Sequence, residues 1–211
     1  MARYLTEFIG TFFLVFTIGM VVTADSALAP LAIGAVLMVM VYLGGHISGA
    51  HYNPAVTVAL LLRGKLSPGD GAPYLVAQLL AAFLASGAVF LVAGDTFAPA
   101  PGAGASVAQA FLAEALFTFA LVLVILNVAT AKATEGNDYY GLAIGFTVMA
   151  GTFAVGNVSG AAFNPAVGTG PIVFQAIVAG GSLENLWLYW AAPLTGAVVA
   201  AGAFALQHPS E

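Results

Sequence analysis

The sequence predicts an all-α membrane protein: six transmembrane helices plus two re-entrant half-helices in an inverted repeat. Three observations predict it. The chain has 211 residues, of which 61% are hydrophobic and only 6% charged. That balance excludes an ordinary soluble domain and selects the membrane class. Six apolar segments are long enough to cross a hydrocarbon core of ~30 Å. One stretch occurs twice, as His46-Ile-Ser-Gly-Ala-His-Tyr-Asn-Pro-Ala-Val56 and as Asn157-Val-Ser-Gly-Ala-Ala-Phe-Asn-Pro-Ala-Val167, its asparagines 111 positions apart (53 to 164).

Composition also removes whole classes of function. The formal net charge is −5, from few and scattered charges, and no basic footprint for nucleic acid is present. Cysteine is absent, which removes disulfides, a thiol nucleophile and Cys-type metal sites. No nucleophile–base set and no phosphate-cradling Gly loop marks an enzyme. No cofactor is implied, and His46 and His51 lack further ligands for a metal.

The elements follow in order. The first span is Tyr4–Thr23. Arg3 before an apolar run, with Ala27-Leu28-Ala29 after it, resembles a cleavable signal. The length of the run, Glu7 at its edge and Pro30 after the supposed cut favour a retained span. The other spans are Leu31–Gly49, Tyr74–Val92, Val107–Thr130, Tyr139–Val155 and Leu186–Leu206. Two short apolar segments remain, Pro54–Leu62 and Pro165–Phe174. At ~1.5 Å per residue they reach about half-way across the core. Each opens on Asn-Pro, a helix-start signal, because Asn caps free N–H groups and Pro has none to lose. Each is preceded by Ser-Gly-Ala, which reads as non-helical backbone. Short, Pro-interrupted segments at matching places in two halves point to a site at the membrane midplane.

The repeat extends to two acidic residues. Glu7 precedes Gly-Thr-Phe-Phe-Leu-Val, and Glu114 is followed by Phe-Thr-Phe-Ala-Leu-Val from Phe117, an offset of 107 (7 to 114). Three spans per half is an odd number, so the second half enters the membrane inverted. All four basic residues, Arg3, Arg63, Lys65 and Lys132, then fall on the cytoplasmic side, as the positive-inside bias expects. Gly94–Ser106 is an irregular external loop that can fold in and narrow the mouth. Asn157-Val158-Ser159 matches a glycosylation acceptor but lies in the second pore loop, which discounts it.

On these residues the chain resembles the aquaporin (major intrinsic protein) family. The likeness covers essentially the whole chain: two Asn-Pro-Ala boxes (Asn53, Pro54, Ala55 and Asn164, Pro165, Ala166), six spans, and Glu in the first and fourth. It implies one transmembrane channel domain over 1–211, with repeats at about 1–93 and 107–207, and a homotetramer of one pore per subunit. It also implies an integral multi-pass protein with cytoplasmic termini, in the cell (inner) membrane, whose partners are lipid, water and small neutral solutes.

The two half-helices would meet at their N-termini, each worth about half a positive charge, and so disfavour cations and protons. Gly49, Ala50, His51 and Tyr52 would offer a row of carbonyls from one side, and Gly160, Ala161, Ala162 and Phe163 from the other. Asn53 and Asn164 would present amide donors between them. By resemblance Glu7 and Glu114 are buried structural acceptors, His51 lines the inner part of the pore, and His46 packs near it as a buried structural residue.

The sequence departs from the family at the outer filter. Most relatives carry Arg after the second box; here Val167 repeats Val56. The four filter positions are Ile33, Thr152, Ala161 and Val167, matching neither the water-strict nor the glycerol-conducting pattern. Losing Arg removes a fixed charge and five donors. A wider, less polar constriction is expected, and an apolar ring can also dewet and slow water. The expected cargo is water plus small uncharged solutes. The alternatives are ammonia, hydrogen peroxide, urea or small polyols with poor water flux, or a weakly ion-leaky channel. A coupled transporter and a non-conducting adhesion protein are the remaining rivals.

Overall fold

The structure is a computed structural model that describes residues 1–211. It is wholly helical: α1 Ala2–Thr23, α2 Ala29–Ser48, α3 Pro54–Leu62, α4 Pro68–Ala93, α5 Val107–Thr130, α6 Tyr140–Ser159, α7 Pro165–Ala179 and α8 Leu188–Gln207. A 3₁₀ turn, Lys132–Thr134, interrupts the α5–α6 connection. Six helices are long and apolar enough to span a membrane, and α3 and α7 are the two short ones.

Packing follows the two halves. In the first, α1 lies against α2 and α4; in the second, α5 lies against α6 and α8. The halves join by crossing: α2 packs on α6, α3 on α8, and α7 on α4. Glycine makes the α2–α6 crossing close. A Cβ on Gly34 would stand 2.7 Å from the Gly145 carbonyl oxygen, and one on Gly145 would stand 2.5 Å from that of Gly34. Small residues at such crossings let backbones approach where no hydrophobic drive between helices exists.

The burial pattern is that of a protein in lipid. Large apolar side chains such as Leu91, Val76, Leu112 and Phe153 face outward, while Glu7, Glu114, Gln78, Asn53 and Asn164 are buried. An apolar belt around a polar centre gives the backbone of any non-helical segment a place to hide from hydrocarbon.

Three boundaries differ from the sequence reading by more than two residues. α4 starts at Pro68 rather than Tyr74, because Pro68 opens a first turn that holds Asp70, and Pro73 is absorbed one turn later. α7 runs on from Phe174 to Ala179 because Gln175, a polar residue, donates from Nε2 to Thr96 Oγ1 (3.1 Å) in the outer loop. α6 continues past Val155 to Ser159 and ends at Gly160 in the left-handed region.

Candidate functional site: a pore between crossed half-helices

The two loops before α3 and α7 have the same backbone. Gly49 and Gly160 end their helices at φ of +87° and +82°, a region that favours glycine. Ala50 and Tyr52 follow at +50°, and Ala161 and Phe163 at +49°. Non-glycine residues there cost about 1–2 kcal/mol each. The strain has a geometric use: it turns successive carbonyls to one side and successive N–H groups to the other.

Those N–H groups find a carboxylate. Glu7 Oε1 accepts from the His51 N–H (2.9 Å) and the Ser48 hydroxyl (2.7 Å), and Oε2 accepts from the Tyr52 N–H (2.7 Å). In the second half, Glu114 Oε1 accepts from the Ala162 N–H (2.9 Å) and the Ser159 hydroxyl (2.7 Å), and Oε2 from the Phe163 N–H (2.6 Å). Both glutamates are fully buried. Tyr74 and Tyr189 complete the frame by donating to the carbonyls of Ser48 (2.7 Å) and Ser159 (2.6 Å).

The asparagines brace the two tips against each other. Asn53 Oδ1 caps the Ala55 N–H and Asn164 Oδ1 caps the Ala166 N–H, both at 2.8 Å. Asn53 Nδ2 donates to the Phe163 carbonyl (2.9 Å) and Asn164 Nδ2 to the Tyr52 carbonyl (2.8 Å). Each amide carries two hydrogens, so one remains on each for the cavity that both residues line. The positive ends of α3 and α7 therefore face each other across this point.

Three spaces, each sharing lining residues with the next, lie past these tips, named inner and outer by the orientation expected from the sequence. An inner vestibule of about 450 Å³ is lined by Gly49 and Ala50 among others. A neck of about 30 Å³ passes Ala50, His51, Asn53, Asn164, Ala162 and Ala161, its opposite wall aliphatic from Leu37, Val41, Ile144 and Val148. An outer vestibule of about 490 Å³ begins at Ala161 and Gly160. Ile33, Ala161 and Val167 line both the neck and the outer vestibule, so they stand at the junction; Thr152 lines the outer vestibule alone.

The outer loop folds into this mouth. Phe97 is buried, filling the space beside Gly19 and Val89. Gly102 donates from its N–H to the Val158 carbonyl (3.0 Å), and Pro99 and Ala100 lie over Gly160. Phe97, Ala98, Pro99 and Ala100 thus form part of the vestibule wall.

His51 has a wiring that the sequence did not reveal. The Thr57 hydroxyl donates to the Asn53 carbonyl (3.1 Å), which leaves its oxygen as an acceptor. It receives Gln78 Nε2 (3.0 Å) and contacts His51 Nδ1 (3.1 Å). Gln78 Nε2 also donates to Glu7 Oε2 (2.8 Å). With the hydroxyl proton spent, the network assigns the hydrogen to Nδ1 and leaves Nε2 a bare acceptor at the inner end of the neck. Gln78 was legible only as a lone amide in an apolar span, a signal of function in itself.

One expectation is qualified and one corrected. Tyr52 and Phe163 line the neck as expected, but each of their carbonyls already accepts from the opposite asparagine and so has one lone pair left. Their side chains pack away: Tyr52 over Gly10 and Gly44, donating to the Met40 carbonyl (2.9 Å), and Phe163 against Phe117. His46, expected to be buried, is exposed and lines the inner vestibule. It lies on the last turn of α2, which faces that opening rather than the core.

A bundle of membrane-length helices with cavities lined up past paired half-helices has the architecture of a channel. The major intrinsic protein family model matches residues 1–204, and the chain belongs to that family. It is 41% identical, over 95% of both chains, to "Glycerol uptake facilitator protein-like 6" of Lactiplantibacillus plantarum. It is 38% identical to Aquaporin NIP1-1 of Zea mays, over 97% of this chain and 74% of that one. Among solved structures, the aquaglyceroporin from Plasmodium falciparum matches with a TM-score of 0.86 at 27% identity, over 96% of this chain and 94% of that chain. The protein is accordingly an integral, multi-pass channel of the family that carries water or small solutes.

Proposed function

We propose that this channel passes water together with other small uncharged solutes, through an outer filter that is wide and apolar. The observation that carries the reading is the position of Val167 at the junction of neck and outer vestibule, with Ile33 and Ala161 beside it. None of the three offers a side-chain hydrogen-bond donor, so nothing there selects water over a small amide or polyol. Cation and proton rejection falls to the facing N-termini of α3 and α7 and to the two asparagine amides. Carbonyls of Gly49, Ala50, His51, Gly160, Ala161 and Ala162 supply acceptors along the way. In the same reading 1–211 is one domain built of repeats at about 1–93 and 107–207. It assembles as a homotetramer, keeps both termini in the cytoplasm of an inner membrane, and performs no covalent chemistry.

A second reading is favoured by the neck, whose wall opposite the loops is aliphatic throughout. Such a passage disfavours a continuous water file, and it favours ammonia, hydrogen peroxide, urea or small polyols over fast water flux. Stopped-flow light scattering on proteoliposomes, with a panel of these solutes beside water, separates the two. Val167→Arg restores a planar cation at the junction, and flux of solutes larger than water is expected to fall about tenfold or more, a barrier change of ~1.4 kcal/mol. Flux equal to that of empty vesicles for every solute would sink the permeation reading. Unchanged selectivity in Val167→Arg would sink the filter assignment alone.

A further inference from the structure

The inner mouth holds charge that permeation of neutral solutes does not use. Of the four basic residues, Arg3 is paired with Asp70 (2.9 Å) and Arg63 with Glu211 (2.8 Å). Lys65 and Lys132 make no ion pair, and both line the inner vestibule of about 450 Å³. His46 and Tyr140 stand on the same walls with their side-chain polar atoms unspent, and Glu135 is the one acidic residue there. The lining is therefore net positive with His46 neutral.

Both lysines hang on fixed backbone. Gly64, at φ +72°, reverses the chain after α3, and the N–H groups of Lys65 and Leu66 both donate to the Leu60 carbonyl (2.9 and 3.2 Å). Lys132 starts the 3₁₀ turn, and its N–H donates to Glu211 Oε1 (2.9 Å). That turn is held by Thr134 Oγ1 on the Asn127 carbonyl (2.6 Å) and Asn137 Nδ2 on the Val128 carbonyl (2.7 Å). The positive-inside bias explains which side these lysines occupy. It does not explain why two segments about 67 positions apart (65 to 132) bring them to one cavity at the pore entrance.

We propose that the inner vestibule is a binding site for a small phosphate-class anion, inorganic phosphate or a soluble phosphate monoester, held between Lys65 and Lys132 and obstructing the pore entrance. A phosphate presents three or more strong acceptor oxygens to ammonium point charges. The His46 ring and the Tyr140 hydroxyl supply further donors. Neutral cargo gains nothing from the lysines, so the site distinguishes the blocker from what passes. Exposure to solvent and screening over ~8 Å at physiological salt set the affinity on the order of millimolar. The obstruction rests on the permeation reading above; the binding does not.

The test has two readouts. ³¹P line broadening of inorganic phosphate by the purified protein, at ionic strength matched with chloride, reads binding. We expect saturation, weakened about tenfold or more in Lys65→Gln/Lys132→Gln. Solute flux into vesicles of purely zwitterionic lipid, with phosphate on both faces, reads obstruction. Wild-type flux is expected to fall by roughly half or more at saturation, and flux through the double variant to hold at its own phosphate-free value. Absent broadening, or broadening equal in the variant, overturns the site. Binding without any loss of flux overturns the obstruction. Flux lost only in phosphate-free vesicles containing phosphatidylglycerol makes the ligand a lipid headgroup and overturns the soluble anion. A protein that binds phosphate yet conducts nothing condemns the permeation reading and leaves the site standing.

Discussion

The loop before α3 and the loop before α7 share a skeleton and differ in what is hung on it. Two residues before its asparagine the first has His51 and the second Ala162. Four residues after, the first has Thr57 and the second Gly168. One turn beyond the framing tyrosine, the first has Gln78 on α4 and the second Pro193 on α8. The second half therefore cannot build the Glu7–Gln78–Thr57–His51 network at all: Pro193 offers no side-chain donor, and Gly168 is covered by Tyr189. Glu7 holds four donors and Glu114 three. What repeats is whatever the strained backbone needs. What does not repeat is a side chain facing the permeant, so the pore is polar on its inner side and apolar at Val167 on its outer side.

The comparison breaks first at the glutamates. Glu7→Ala orphans two backbone N–H groups, a hydroxyl and an amide, all buried; Glu114→Ala orphans one fewer. At about 1–3 kcal/mol per unsatisfied group, the loss is about 4–12 kcal/mol for Glu7→Ala and about 3–9 kcal/mol for Glu114→Ala. Both variants are expected to lose most of their folded yield in detergent, Glu7→Ala the more severely. Fluorescence-detected gel filtration and thermal melts would show it. Equal melting temperatures for Glu114→Ala and wild type would mean that the carboxylate does not hold the loop.

The next largest effect separates the halves rather than damaging both. Thr57→Val removes the acceptor shared by His51 Nδ1 and Gln78 Nε2 and keeps the shape. A destabilisation of about 2–4 kcal/mol follows from two buried donors left without a partner. The imidazole is also freed to change tautomer, so Nε2 ceases to be a fixed acceptor. Water flux is expected to drop several-fold, while the order of preference among larger solutes is kept if the proposed filter at Val167 sets it. ¹⁵N shifts of His51 should report an Nδ1–H ring in the wild type; an Nε2–H ring there would refute the assignment.

The sequence made the symmetric parts legible because repetition in sequence is repetition in strain. The Ser-Gly-Ala-X-aromatic-Asn-Pro boxes located both loops, and α3 begins and ends where Asn-Pro and Arg63 place it. Glu7 and Glu114 stood out as charges within apolar spans. The asymmetric parts were hidden because their partners lie far apart along the chain: Gln78 is 71 positions from Glu7 and 21 from Thr57. No local spacing announces such a contact. The seat of Phe97 beside Gly19 was illegible for the same reason, since a glycine in a span marks close approach without saying of what. His46 misled because a histidine after two glycines on an apolar helix looks interior, whereas the last turn of α2 opens on the vestibule.

The smallest effect expected is a difference of none. Asn53→Ala and Asn164→Ala each remove one cap, worth ~1 kcal/mol. Each also frees one carbonyl of the opposite loop, which the neck can hydrate, so little further cost accrues. The bonds lost match within 0.1 Å across the two sites (2.8 and 2.9 Å; 2.8 and 2.8 Å). Both variants should therefore melt at the same temperature, a few degrees below wild type, and admit cations to the same small extent under voltage clamp. Unequal melting would show that the relay behind His51 supports the first tip independently of its asparagine, and the skeleton would no longer be common to both halves. Equal melting with unequal cation current would place the asymmetry in the field alone. The nine-residue α3 and the fifteen-residue α7 would then contribute differently at the point where their N-termini meet.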